Sequence, residues 1–170
     1  FYEHNIPFQR NDNNVWATNK EFDPELPTLL LNSHHDTVKP HQAYTRDPFS
    51  PDIIDGKLFG LGSNDAGGAL VSLIALFTHY YAHPNPRYNL LIAATAEEEI
   101  AGKKSLRGLL EKLPKIDFAI VGEPTLMDLA IAEKGLIVFE AIIKGTPSHA
   151  AHPNADNPLM KIPAVIKAIE

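Results

Sequence analysis

Thr28-Leu29-Leu30-Leu31-Asn32, running on into Ser33-His34-His35-Asp36, is the stretch that decides the architecture. A short continuous apolar run is the mark of a strand buried on both faces, and such strands belong to sheets covered by helices. The pattern recurs twice. Asn89 to Ala94 is a second buried strand, with Glu97-Glu98-Glu99 just beyond it, and Phe118 to Val121 is a third core strand, ending at Gly122-Glu123-Pro124. Between the first two, a helix from about Ala66 to Tyr81 sets Leu70, Leu73, Ile74 and Phe77 at helical spacing. An amphipathic helix over 102–113, closed by Pro114, separates the second strand from the third. Strand and helix alternate, which predicts an α/β layer structure with at least partly parallel strands.

The flanks are less regular. Residues 1–24 read as the end of a helix and then a strand, with Asn13-Asn14 as a turn before Val15-Trp16-Ala17-Thr18. Asp23-Pro24 and Leu26-Pro27 mark a loop, and Asp55-Gly56 is a hairpin turn between Ile53-Ile54 and Lys57-Leu58-Phe59. Later the pattern changes: Asp128 to Ala132 and Leu136 to Lys144 read as strands with little between them, and 157–169 as a helix after Pro153. Two strands and a helix without a completed βαβ unit predict the start of a second, α+β domain near Lys134. The expected division is 1–133 and 134–170, both incomplete. The chain opens on Phe1 in mid-pattern and is still in helical pattern at Glu170, so a fragment is expected.

Composition narrows the function. The chain has 170 residues, 44% hydrophobic and 21% charged, as in a soluble globular protein. Its net charge is −6 and it has no Lys/Arg cluster, which speaks against nucleic acid. No apolar run approaches the ~20 residues of a membrane span. Cysteine is absent, so disulfides, thiolate ligands and cysteine nucleophiles are excluded, and any metal is held by nitrogen and oxygen. A cytoplasmic location is expected.

Ligands of open α/β sheets collect at the carboxyl ends of the strands. Here those ends carry His34-His35-Asp36, Glu97-Glu98-Glu99 and Glu123, while Asp65 opens a helix from a glycine-rich loop. Each has a plain alternative: a His–carboxylate hydrogen bond on one strand face, a solvated acidic patch, a turn with a surface acid, a helix N-cap. Gly60-x-Gly62-x-x-Asp65 is no dinucleotide fingerprint, since the third glycine is missing. Three adjacent carboxylates repel one another, a repulsion that a bound cation relieves. Together the groups could hold two divalent cations with a shared carboxylate, ~3.5–4 Å apart, activating a bridging water. Zinc fits such ligands; cobalt or manganese would also serve.

At these residues the sequence resembles the acetylornithine deacetylase, succinyl-diaminopimelate desuccinylase and carboxypeptidase G family of di-zinc metallohydrolases. The motifs are Ser33-His34-His35-Asp36-Thr37-Val38, Gly62-Ser63-Asn64-Asp65, Ala96-Glu97-Glu98-Glu99, Gly122-Glu123-Pro124-Thr125 and Gly145-Thr146-Pro147-Ser148-His149. The resemblance implies a zinc-exopeptidase-like mixed sheet flanked by helices, then an α+β lid and dimerisation domain. It implies that His34 and Glu123 bind one metal, Glu99 the other, and Asp65 bridges both. Glu98 would be the general base and later the proton donor to the leaving amine, and Asp36 would orient the site. His149, reaching across a homodimer, would stabilise the oxyanion. A cis peptide at Asp65-Ala66 is also implied. Two features depart from the family: Gly67-Gly68 stands where it has lysine-glycine, and His35 replaces a small residue. A last histidine ligand would lie downstream, which leaves the second metal site incomplete here. The resemblance is strongest to acetylornithine deacetylase, so the expected substrate is a small acyl amino acid, N-acetylornithine or a related acyl-ornithine or acyl-citrulline, in arginine biosynthesis. A di-metal di- or tripeptidase or carboxypeptidase, and a non-catalytic metal-binding fragment, are the alternatives.

Overall fold

Among the described residues, seven strands and three α-helices carry the chain. The computed structural model describes every residue except Asn85, Glu133, Leu136 and Glu170. By their internal contacts, residues 1–129 and 130–170 form two units.

In the first unit β1 (Gln9–Asn11), β2 (Asn14–Thr18), β3 (Thr28–His34), β6 (Asn89–Thr95) and β7 (Phe118–Val121) form one sheet in the order β1-β2-β6-β3-β7. A separate hairpin pairs β4 (Ile53–Ile54) with β5 (Lys57–Leu58) about the expected Asp55-Gly56 turn. β3 runs parallel to both β6 and β7, while β2 is antiparallel to β6. The sheet is therefore mixed, and the carboxyl ends of β3, β6 and β7 share one rim.

The two-residue period of a strand explains the core. Leu31, Leu90 and Ile92 point to one face and pack with Phe77, Leu73 and Ile74 of helix α1 (Ala69–Tyr80). Leu30, Leu91 and Ala93 point to the other and pack with Leu109 of the short helix α2 (Leu106–Leu109) and with Trp16. Fully burying each such side chain contributes roughly 1.5–3 kcal/mol. Among the described residues no helix is long and apolar enough to cross a membrane.

Several expectations are corrected. The helix expected from Ala66 begins at Ala69; residues 63–68 form a wider turn in which Asp65 has φ −109° and ψ 102°. The helix over 102–113 shrinks to α2 and a 3-10 turn at Leu110–Lys112. Both peptide groups of Lys104 that would help start it are taken by side chains, its N–H by Glu97 and its C=O by Asn14. β7 is not a core strand: among the described residues its one neighbour is β3, and all four of its residues are exposed, Phe118 at 70%. The first 24 residues hold a strand that was not anticipated, β1, paired to β2 across Asp12-Asn13.

Asp128 to Ala132 and Leu136 to Lys144 form no strand among the described residues; Leu136 itself lies outside them. Ile137, Val138 and Phe139 are exposed. A strand exists only in a ladder, and these β-prone residues have none to join. The expected helix is present as a 3-10 turn, Pro158–Lys161, leading into α3 (Ile162–Ile169). Asn157 starts it by accepting the Leu159 N–H at 3.0 Å.

Candidate metal centre

His34 is the last residue of β3 and is 2% exposed. Its Nδ1 lies 3.0 Å from the backbone carbonyl of Asp36. A carbonyl only accepts, so Nδ1 carries the hydrogen and Nε2 faces the rim. There Nε2 meets Asp65 Oδ1 at 3.0 Å, Glu123 Oε2 at 3.8 Å and Glu98 Oε2 at 3.9 Å. Burial works against a charged imidazole. The Asp36 carbonyl, the Asp65 carboxylate and the charges of Glu123 and Glu98 outweigh it, and the His34 pKa rises.

Each acid reaches the rim on a different element. Asp65 sits in the wide turn before α1, and its side chain makes no helix cap; it turns instead onto His34. The Asp65–Ala66 peptide is cis, as the resemblance implied. Glu98 and Glu99 follow β6, and Asp36 secures them: its two carboxylate oxygens accept the Glu98 and Glu99 N–H groups, each at 3.3 Å. Glu123 follows β7. Ser33 Oγ donates to the Gly122 carbonyl at 2.8 Å, and the Gly122 N–H donates to the Asn32 carbonyl at 2.8 Å. A Cβ on Gly122 would lie 3.0 Å from both Ala69 Cβ and Leu73 Cδ1, so a side chain here would crowd α1 and push it aside. Burial pushes the Glu123 carboxyl upward; His34 opposes the shift, while Glu98, Asp65 and Glu99 add to it as like charges.

The donor set suits a divalent cation. His34, Asp65 and Glu99 each offer one ligand atom, all within 4.8 Å of one another. One imidazole nitrogen with carboxylate oxygens is a zinc-type set. Crowded carboxylates around a single histidine are also an arrangement that a cation relieves. Among the described residues no second group of this kind occurs. His149 belongs to the second unit, where its Nδ1 accepts the Ala151 N–H at 3.2 Å and its ring lies 5.6 Å from that of His152.

Sequence reasoning passed over the side chains that hold the strand ends in register. Asn32, buried in the middle of β3, donates to the Ala93 carbonyl at 2.9 Å and to Thr95 Oγ1 at 3.1 Å. The available signal was an asparagine at the end of an apolar run, where a core strand has no use for a polar group unless it is bonded.

A zinc-exopeptidase-type α/β sheet with a histidine–carboxylate cluster at the ends of its parallel strands defines the class, a metal-binding hydrolase fold. The model of peptidase family M20/M25/M40 matches residues 30–169, and the chain belongs to that family. It is 32% identical over 158 residues to a succinyl-diaminopimelate desuccinylase of Wolbachia pipientis wMel, covering 85% of this chain and 40% of the relative. It is 32% identical over 170 residues to the enzyme of that name from Xanthomonas campestris pv. campestris (strain B100), covering 92% of this chain and 44% of the relative. The chain thus spans less than half the length of these curated relatives. Among solved structures it is similar to the M20 family metallo-carboxypeptidase Sso-CP2 from Sulfolobus solfataricus. The identity there is 26% and the TM-score 0.52, over 69% of this chain and 28% of that one.

Proposed function

We propose that the intact protein is a metal-dependent hydrolase of an amide bond in a small amino-acid derivative. One observation carries the reading: a buried histidine nitrogen at 3.0–3.9 Å from three carboxylates that arrive from three separate elements, the turn before α1 and the ends of β6 and β7. A bound zinc, cobalt or manganese ion would supply a Lewis acid that polarises the scissile carbonyl and lowers the pKa of water.

The chain's own residues do the rest. His34, Asp65 and Glu99 would hold an ion, with Glu123 beside His34 as a further candidate ligand. The Glu98 carboxylate is 55% exposed and, among the described residues, accepts no protein hydrogen bond. It is free to take a proton from the attacking water and to deliver it to the leaving amine nitrogen. Asp36 does not contact substrate in this scheme; it fixes the backbone that aims Glu98 and Glu99. Residues 1–133 form the catalytic part, 134–170 begin a lid and dimerisation domain, and His149 serves the partner subunit's site in a cytoplasmic homodimer.

Support for the substrate differs between readings. The carboxypeptidase likeness favours a peptide or a peptide-like N-acyl amino acid. The relatives at 32% identity are named for a succinylated diamino acid, which favours an acidic acyl group. Neither favours the acyl-ornithine or acyl-citrulline of arginine biosynthesis expected from sequence. Release of free amine from zinc-loaded intact protein is the test, using N-succinyl-diaminopimelate, N-acetylornithine, and di- and tripeptides. Turnover of one of the first or third kind is expected, and no hydrolysis of any would overturn the enzyme reading. Glu98→Gln should lower turnover at least about 10²-fold while zinc stays bound; retained activity would remove Glu98 from its role.

A further inference from the structure

The first acid of Glu97-Glu98-Glu99 points away from the cluster. Its Oε2 accepts the Lys104 N–H at 3.0 Å, and its own carbonyl accepts the Gly102 N–H at 2.8 Å. Gly102 makes this possible, because a Cβ there would lie 2.1 Å from Glu97 Oε2. Across the sheet, Asn14 is 1% exposed although it sits at a strand end. Its Oδ1 accepts the Ala96 N–H at 2.9 Å and its Nδ2 donates to the Lys104 carbonyl at 2.7 Å. One buried carboxamide thus grips both ends of the loop 96–104. Asn14 can do so because β2 runs antiparallel to β6, which brings its first residue to the rim where β6 ends. The same turn reaches the other ligand-bearing loop, for the His35 Nε2 lies 3.0 Å from the Asn13 carbonyl and donates to it.

We infer that Asn14 and Glu97 are positioning residues: they close the loop 96–104 on the Lys104 peptide and so present Glu98 and Glu99 to His34 and Asp65. The inference rests on the metal-centre reading above for what the loop presents, and on the hydrogen bonds alone for the closure. Glu97 is the acid that is neither ligand nor base. Its charge suits the task because a bond from N–H to a carboxylate is stronger than one to a neutral acceptor. The buried Asn14 amide leaves no side-chain atom unsatisfied, as a polar group at such a place must.

The test compares wild type, Glu97→Ala, Glu97→Gln and Gly102→Ala in the intact protein. Two quantities are read: amide hydrogen exchange over residues 96–104 without metal, and zinc affinity by titration with zinc alone. Glu97→Ala and Gly102→Ala should speed exchange at Glu98 and Glu99 by about tenfold or more, leaving β3 and β6 protected, and weaken zinc binding by a similar factor. Glu97→Gln keeps the acceptor oxygen but loses the charge, and should fall between wild type and Glu97→Ala in both. Unchanged exchange in Glu97→Ala overturns the inference. So does faster exchange with unaltered zinc affinity, which would make the brace merely structural. A Glu97→Gln that loses zinc as Glu97→Ala does would make Glu97 a ligand and overturn it as well. If wild type takes up no zinc, the metallohydrolase reading fails, and the exchange measurement still decides the loop closure.

Discussion

With His34 as the proposed ligand, zinc and a proton should compete for its ring, and the competition sets a measurable pH dependence. Nδ1–H is committed to the Asp36 carbonyl, so a second proton on the ring sits on Nε2, facing Asp65 at 3.0 Å. That environment raises the His34 pKa above its ordinary 6.5. A ligand nitrogen must be deprotonated before it binds metal, so zinc displaces this proton. Below the raised pKa each unit of pH weakens the apparent affinity tenfold, about 1.4 kcal/mol. At pH 5.5, a full unit under even the ordinary value, zinc should therefore bind at least about tenfold more weakly than at pH 8. Glu123, also shifted upward, adds a second proton at lower pH and steepens the slope. For the metal-free protein the sign is opposite. A raised histidine pKa contributes stability that is fully present below 6.5 and is lost as pH rises through the folded value. Zinc should thus raise Tm more at pH 8 than at pH 6. Titration calorimetry at pH 6 in two buffers of different ionisation enthalpy counts the protons released. About one per zinc is expected; no release, with a flat affinity from pH 5.5 to 8, would refute the account.

Three further outcomes follow from the packing. Asn89→Ala should destabilise the fold by about 2–4 kcal/mol in urea unfolding, because the buried carboxamide accepts the Asp23 N–H and donates to the Asp23 and Leu26 carbonyls and to Thr28 Oγ1. Gly122→Ala should cost about 1–3 kcal/mol by crowding Ala69 and Leu73; zinc affinity should fall with it, because Glu123 is displaced. The Asp117 pKa is lowered by Lys115, at 2.8 Å, and by the Thr28 N–H, at 2.9 Å. Its contribution is present above the unfolded carboxylate pKa and is lost as pH falls through the folded one, so Asp117→Asn should lower Tm at pH 6, and the difference from wild type should shrink as pH falls through the carboxylate range.

Much of the fold was legible because it is written in short-range patterns. The runs at 28–34, 89–95 and 118–121 became strands within a residue or two of the expected ends, Leu73, Ile74 and Phe77 pack on the sheet from one helix side, and Leu70 is buried. The order of motifs at strand ends was equally readable, and with it the family. The misplaced elements failed for a common reason. Lys104 and its neighbours have helical periodicity, yet their peptide groups are claimed by Glu97 and by Asn14, far away in sequence. Residues 118–121 are apolar enough for a core, but burial depends on a second neighbouring strand. Apolar runs after 128 look like strands, and a strand is made by its partner.

Residue types and spacing alone placed histidine and carboxylate side chains at the ends of the strands β3, β6 and β7. Which atoms meet was decided by the tertiary structure. Asp65 reaches His34 across 31 residues, and the Gly122 that carries Glu123 is tied to Ser33 across 89. Asp36 turns out to hold the Glu98 and Glu99 peptides, and Asn14 to close their loop across 82. Periodicity records the face a side chain takes within its own element, because that is fixed by local backbone geometry. It carries no record of which distant backbone group a polar side chain will satisfy, because that partner exists only once the sheet has assembled.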